Sequence, residues 1–338
     1  MNILLSSVGR RPYLVRWFKE ALLLNGVDGQ VVAADSDPLA PARSFADAFM
    51  PAPRVDDPRY EQWLGDSLRE MHVDLAVSVN DFELARWSEL SSEDSWSCLV
   101  RLPAATQRVV DDKVLMNRTL QLAGIGSPAT HTGRFPEMII RQSKTGRFIT
   151  KGRFGSASRG LNFTNADELA DTILAASDQV TNRYGVHAHL QSEFTPADLV
   201  IVQEEVKGTE FGLDVISDLN GEFVSVLARR KIAMRGGETD RAESVDGSAF
   251  RALARRIARE LPHRGSMDID VIVDADGNSY VIDVNPRFGG GYPFSHLAGA
   301  HVPAAYVAWA HGRQPSDEWL VATPGVVSGK YVEAVVVQ

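Results

Sequence analysis

The chain has 338 residues, more than one core normally serves, so two or three lobes are expected. Its 44% hydrophobic and 23% charged residues are ample for packed cores, while a formal net charge of −9 argues against a nucleic-acid-binding surface, which needs clustered Lys and Arg. The single cysteine, Cys98, excludes a disulfide framework. No apolar run reaches transmembrane length, and the one before Arg10-Arg11 is too short for a signal segment. No membrane and no nucleic acid is therefore an expected partner, and cytoplasmic residence is the default expectation.

The first hundred residues read as an α/β unit. A short buried strand at Ile3-Leu-Leu-Ser-Ser runs into a turn at Gly9, and Tyr13 to Leu24 carries apolar residues at helical spacing. Val31 to Asp35 and Leu75 to Val79 are further strands, the latter preceded by a helical stretch from Tyr60 to Met71. Strands alternating with helices imply a parallel, doubly wound sheet. Asp35 follows the glycine turn at the spacing of a dinucleotide site, but Ser7-Val-Gly-Arg-Arg-Pro lacks the second and third glycines. The loops 7–11 and 80–83 lie at strand ends where such sheets bind ligands, and Arg10 and Arg11 there are either a receptor for an anionic substrate or plain solvated cations.

A boundary falls near Leu102-Pro103. Asp111-Asp-Lys113 opens a helix, with acids at its favourable N-terminal end, and Gly124-Ile-Gly-Ser-Pro128 stops it. The strand Phe148-Ile-Thr-Lys151 leads into Gly152-Arg-Phe-Gly-Ser-Ala-Ser-Arg-Gly160. Three glycines and two serines there could cradle an anion on backbone N–H groups, or be a flexible turn; without a terminal Gly-Lys-Ser/Thr it is not a Walker A loop. Leu199 to Val206 and Thr209 to Ile216 are strands joined at Lys207-Gly208, with Glu210 beside the turn. Val224 to Ala228 runs into Arg229-Arg-Lys231, and Arg235-Gly-Gly-Glu238 reads as a mobile loop. Arg251 to Leu261 is an amphipathic helix. His187 and His189 lack a third clustered ligand and read as surface loop.

The richest segment is Met267 to Arg287, two strands joined by the turn Asp274-Ala-Asp-Gly277. Strand periodicity puts Asp268 and Asp270 on one face of the first strand, and Asp283 and Asn285 on one face of the second. If the turn makes these faces coincide, Asp270, Asp283 and Asn285 form an oxygen-only cluster suited to a hard dication such as Mg²⁺, with Arg287 beside it. The competing reading is a solvated hairpin whose acids merely face water.

The order of these pieces resembles the ATP-grasp superfamily: an α/β lobe, a helix-leading lysine, a lysine before a glycine-serine loop, a Gln-Glu-Glu-Val-x-Gly-x-Glu hinge, basic residues, and an Asp…Asp-x-Asn hairpin ending in Arg and Phe288-Gly-Gly-Gly-Tyr-Pro-Phe. It is similar to the branch of carbamoyl phosphate synthase large subunits and small amino-acid ligases. The resemblance implies an ATP-grasp fold, α/β and α+β in several lobes. A Rossmann-like domain would span 1–108, a small lid lobe 109–200 and a catalytic lobe 201–338. It implies that Lys113 and Lys151 hold nucleotide phosphates, under a loop containing Gly155, Ser156, Ser158 and Gly160. Glu204 and the backbone of Val206 would face the adenine, and Glu210 the ribose. Asp270, Asp283 and Asn285 match ligands for Mg²⁺ (or Mn²⁺), although family members commonly carry glutamate where Asp283 stands, which leaves one or two ions open. Arg230 or Lys231, with Arg287, matches the cations that meet the transferred phosphoryl group, and the loops 152–160 and 233–245 would close as lids.

These roles imply a ligase that activates a carboxylate as an acyl phosphate and joins it to an amine, with ATP, a carboxylate and an amine as its ligands and a homodimer as the common default assembly. A kinase, a carbamoyl-phosphate-type activity or a nucleotide-binding protein without turnover are the alternatives. No nucleophilic Ser-His-Asp or Cys-His set is needed, because phosphoryl transfer asks mainly for positioning and charge neutralisation.

Overall fold

The structure is a computed structural model and describes residues 1–91, 93–155, 161–181 and 193–337. Its described strands form three sheets.

The first sheet is parallel, in the order β3-β2-β1-β4, from β1 (Asn2–Ser6), β2 (Gln30–Asp35), β3 (Ala48–Pro51) and β4 (Val73–Ser78). Its inner strands are buried apolar runs, as a sheet covered on both faces requires. Helix α1 (Pro12–Leu24) starts on a proline whose fixed φ suits a first helical position; α2 (Tyr60–Glu70) and α3 (Asp81–Glu89) follow. Asn80 caps α3 by accepting from the amides of Phe82 and Glu83. The carboxylate of Asp35 accepts from the Gly9 amide at 2.8 Å, and a Cβ at Gly9 would lie 2.4 Å from it. Asp35 therefore closes the turn on itself and is spent as a ribose acceptor.

Helices α4 (Ala104–Asp111) and α5 (Lys113–Leu122) lead to the second sheet. Asp112 caps α5 through the amides of Val114 and Leu115 while pairing with Arg153, so the acids do open this helix. The sheet has the order β5-β8-β6-β7, from β5 (Thr130–Thr132), β6 (Arg147–Gly152), β7 (Asn162–Asn165) and β8 (Val200–Glu204), flanked by α6 (Pro136–Gln142) and α7 (Leu169–Thr181). β8 pairs with β5 and β6, so the strand expected at Leu199 to Val206 belongs to this small sheet.

The third sheet is antiparallel, in the order β13-β12-β9-β10-β11-β14. It comprises β9 (Thr209–Ser217), β10 (Phe223–Arg235), β11 (Glu238–Val245), β12 (Gly265–Val273), β13 (Ser279–Asn285) and β14 (Val327–Gly329). Residues 233–245, expected as a lid loop, are instead part of a hairpin of β10 and β11 whose register shifts around Ala233. Its turn is Gly236-Gly237, both at positive φ, which suits the tight connection between twisted strands. Helices α8 (Arg251–Glu260), α9 (Tyr292–Leu297) and α10 (Val302–Ala310) complete the chain.

Alternation on β12 decides which face becomes the site. Met267, Ile269 and Val271 are fully buried and pack with Val281, Val284, Ile257 of α8 and Met116 of α5. Each such side chain contributes roughly 1.5–3 kcal/mol on burial, and a slip of one residue would turn all of them outward. Holding the apolar face in the core thus forces Asp268 and Asp270 onto the other face. A second core runs from Ile3, Phe18 and Val31 of the first lobe to Phe288, Tyr292, Tyr306 and Val307, so α1 and α10 share one apolar interior.

Candidate active site

The β12–β13 register pairs Asp268 with Asn285 and Asp270 with Asp283, so all four stand on one face. The turn between the strands is held by Asp274, whose carboxylate accepts from the amides of Asp276 and Asn278, with Gly277 at φ +83°. Ile282 is an extra residue in the register, a bulge that frees a carbonyl from the ladder. Lys151, reaching across from β6, donates to that carbonyl at 2.9 Å. The irregularity thereby docks the small sheet onto the metal-type hairpin.

Lys113 lies at the first position of α5, is buried, and donates to the carbonyl of Gly155 at 2.5 Å. Its Nζ is 3.6 Å from Asp283 Oδ1. Burial would raise the Asp283 pKa, but Lys113 and Lys151 outweigh it and hold the carboxyl below its usual value. Burial pushes Lys151 down, against the pull of Asp283. Lys231 bridges Glu210 at 2.6 Å and Asp270 at 2.7 Å. Burial opposes its charge, yet those two acids win and keep it an ammonium ion.

Strand alternation separates the basic run Arg229-Arg-Lys231. Lys231 joins the cluster; Arg230 points to the opposite face and pairs with Glu243 on β11. Of the two, the structure brings Lys231 and not Arg230 to the Asp270 carboxylate. Arg229, absent from the expected set, is buried and joins Asp214 (2.7 Å) to Asp268 (2.5 Å). Its space depends on missing side chains: a Cβ at Gly212, Gly289 or Gly291 would lie 2.8, 2.0 or 2.2 Å from Arg229 or Asp268. The glycine run after Arg287 is thus a cradle for this buried ion triad.

Arg287 makes a two-pronged pair with Asp81 of α3, Nε to Oδ1 at 2.7 Å and Nη2 to Oδ2 at 2.9 Å, and its Nη2 also reaches Asn285 Oδ1 at 3.3 Å. The pair links residues 206 apart in sequence, joining the first lobe to the last. Beside it, Arg11 donates to the carbonyl of Phe288 at 2.7 Å, and Glu238 meets Lys330 at 3.0 Å. Burial would raise the Glu238 pKa, but Lys330, Arg11 and Arg287 lower it. Arg10 is exposed, with no bonding partner among the described residues, so the structure brings Arg11 but not Arg10 to the cleft.

The carboxylate of Glu204 accepts from Ser143 Oγ, the amides of Lys144 and Thr145, and Thr145 Oγ1, which fixes the turn before β6 and engages the side chain expected at the adenine. Val206 lies in the segment joining β8 to β9, between the small and large sheets. Ser156, Ser158 and Gly160, and the pair His187 and His189, lie outside the described residues.

Asp270, Asp283 and Asn285 offer only oxygen donors, and the two carboxylates face Lys231 and Lys113, cations standing where positive charge is required. That donor chemistry fits a hard dication taking one or two carboxylates plus substrate phosphates. Among the described residues no helix is long and apolar enough to cross a membrane.

Residues 3–96 match the family described as PylC-like, N-terminal domain, and residues 197–333 match the family described as ATP-grasp in the biosynthetic pathway with Ter operon. Over 276 residues, 80% of this chain, the sequence is 25% identical to 3-methyl-D-ornithine–L-lysine ligase of Methanosarcina acetivorans. The chain spans 64% of that curated relative's length. Among solved structures, the fold is similar to the biotin carboxylase domain of Hydrogenobacter thermophilus 2-oxoglutarate carboxylase in complex with MgADP, ADP and bicarbonate. That match has a TM-score of 0.73 and 16% identity over 96% of this chain and 73% of that one. It is similar also to the L-amino acid ligase of Bacillus licheniformis, with a TM-score of 0.66 and 15% identity over 95% of this chain and 77% of that one. A parallel sheet ahead of a small sheet and a large antiparallel sheet that carries an Asp-Asp-Asn face is the ATP-grasp fold, and residues 197–333 match an ATP-grasp family.

Proposed function

We propose that this chain is an ATP- and Mg²⁺-dependent ligase that joins a carboxylate to an amine through an acyl phosphate, releasing ADP. The observation that carries this reading is the convergence of Lys113, Lys151, Lys231 and Arg287 on the face formed by Asp270, Asp283 and Asn285. It is supported by the relative whose name describes the joining of 3-methyl-D-ornithine to L-lysine, and by the fold neighbour solved with MgADP.

Lys113 and Lys151 then bind the nucleotide phosphates between the two sheets. The backbone near Val206 receives the adenine, and Glu210 the ribose hydroxyls. Asp270, Asp283 and Asn285 would hold Mg²⁺, which would supply positive charge to neutralise the phosphates. A substrate carboxylate oxygen attacks the γ-phosphorus as the bond to the ADP oxygen breaks, while Lys231 and Arg287 meet the charge that spreads onto the phosphoryl oxygens. The amine nitrogen next attacks the acyl carbon, phosphate departs with the C–O electron pair, and the nitrogen loses a proton. Arg11 offers a fork for a substrate carboxylate, and Glu238 an anionic partner for an ammonium group, which suits amino-acid-like substrates.

Release of ADP across a panel of carboxylate and amine pairs, with the product mass measured, tests the reading. Amine-dependent release with formation of an amide supports the ligase. Release without an amine would make it a kinase, and bound ATP with no release would make it a binding protein.

A further inference from the structure

Outside this cleft, α1 meets the last lobe at a second cluster of ligand-bearing side chains. Glu20 of α1, His296 of α9 and His301 before α10 each place one ligand atom within 4.8 Å of the others'. Trp17, one turn before Glu20, stacks flat on His296 with ring centroids 3.8 Å apart and planes 22° from parallel, which fixes the imidazole plane. His296 is only 9% exposed.

Hydrogen bonding decides where the His296 proton sits. The Tyr292 hydroxyl donates its one proton to the carbonyl of Ala300 (3.2 Å) and accepts from the amide of Val302 (3.0 Å). Toward His296 Nδ1, 3.3 Å away, it can only accept again, so Nδ1 carries the hydrogen. The other nitrogen, Nε2, is left with a bare lone pair, and what it faces is the Glu20 carboxylate, with Oε2 at 4.0 Å. A lone pair, a carboxylate and a second imidazole therefore converge, each with a ligand atom within 4.8 Å of the others.

We propose that Glu20, His296 and His301 bind a transition-metal dication of the zinc class and thereby clamp α1 of the first lobe to the last lobe. Two imidazoles and one carboxylate are a borderline-soft donor set that selects zinc over magnesium. Tetrahedral bonds of about 2.0–2.1 Å place ligand atoms about 3.3 Å apart, so the cluster must contract by roughly an ångström. The exposed, flexible Glu20 side chain supplies that movement. The Nδ1–H bond to Tyr292 is the outer contact that orients a metal-binding histidine, and the open side toward solvent leaves a fourth position for water. The site is independent of the nucleotide cleft, so its failure would leave the ligase reading untouched.

The test uses the untagged full chain, stripped with a chelator and dialysed against limiting Zn²⁺ in excess Mg²⁺, which saturates the oxygen-only site. Bound zinc is counted by elemental analysis, and melting temperature is followed with and without zinc. The wild type is expected to retain one equivalent and to melt higher with zinc. Glu20→Gln and His301→Gln, both at positions that tolerate a polar isostere, should each weaken binding at least tenfold and abolish the thermal shift, while melting like the wild type in chelator. Failure of the wild type to retain zinc under Mg²⁺, or equal retention by the two variants, would overturn the proposal.

Discussion

Replacing Arg287 by lysine separates a catalytic cation from an interlobe clasp. The arginine places Nε and Nη2 on the two oxygens of Asp81, and its Nη2 also reaches Asn285. An ammonium group keeps the charge but cannot meet both Asp81 oxygens in one plane. One charge-assisted bond is lost, which costs about 1.5–3 kcal/mol. At roughly 2.1 cal/mol/K per residue, the unfolding entropy of a 338-residue chain is about 0.7 kcal/mol/K, so the melting temperature should fall by about 2–4 °C. The clasp alone predicts no more than this. If Arg287 also meets the transferring phosphoryl group, Arg287→Lys should cut turnover about 10²–10³-fold, as losing one preorganised donor typically does. ATP affinity should stay close to wild type, because Lys113 and Lys151 hold the phosphates. Melting temperature, ATP affinity and amine-dependent ADP release are measured on one preparation. Preserved turnover per folded molecule together with the small thermal loss would refute the catalytic role and leave Arg287 a purely structural link.

Asp283→Asn should nearly abolish ADP release while the protein still binds ATP and melts within a few degrees of wild type; activity near the wild-type level would remove Asp283 from the metal site. Lys231→Met should stop turnover, whereas Arg230→Ala, which breaks only a surface pair worth about 0–1 kcal/mol, should leave both rate and stability nearly unchanged; equal loss in the two would contradict the strand alternation. Arg229→Ala leaves Asp214 and Asp268 buried without their cation and should destabilise by about 3–5 kcal/mol, read as a fall of roughly 4–7 °C; an unchanged melt would mean that the triad carries no stability. Burial raises the Asp111 pKa from 3.8 to about 7. Its neutral form is thus favoured in the folded state, and stability falls as pH rises from about 4 to 7. Asp111→Asn should therefore melt higher than wild type at pH 8 and lose that advantage by pH 4; a gain that does not change with pH would assign the effect to something other than this carboxyl.

The hairpin was legible because both of its determinants are local. Period-two alternation places the acids, and an Asp-Ala-Asp-Gly turn sets the pairing, so Asp270 opposite Asp283 follows from the residues alone. Lys113 and Lys151 were legible through their place at a helix start and a strand end. Alternation shows that Arg229 and Lys231 share a face and Arg230 takes the other, but not which face carries the site. That depends on which side the apolar residues of β12 bury. Glu204 could not be read, because the turn it holds, 143–145, lies about 60 residues away. Asp81 was invisible as a partner of Arg287 for the same reason, and its Asn80-capped helix start reads only as a cap. Nor does the sequence show why glycine stands at 289 and 291, where a guanidinium and a carboxylate fill the space beside them.

The bridging position of Lys231 has a consequence for how ligands enter. With Glu210 on one side and Asp270 on the other, the ammonium already occupies the electrostatic well that a dication would fill. On the proposed reading, a cation taken up at Asp270 would displace Lys231 from that carboxylate, and the freed ammonium would pair with a phosphoryl group of the nucleotide. Metal and nucleotide would then be linked guests: the cation that displaces Lys231 from Asp270 leaves an ammonium free to pair with a phosphoryl group.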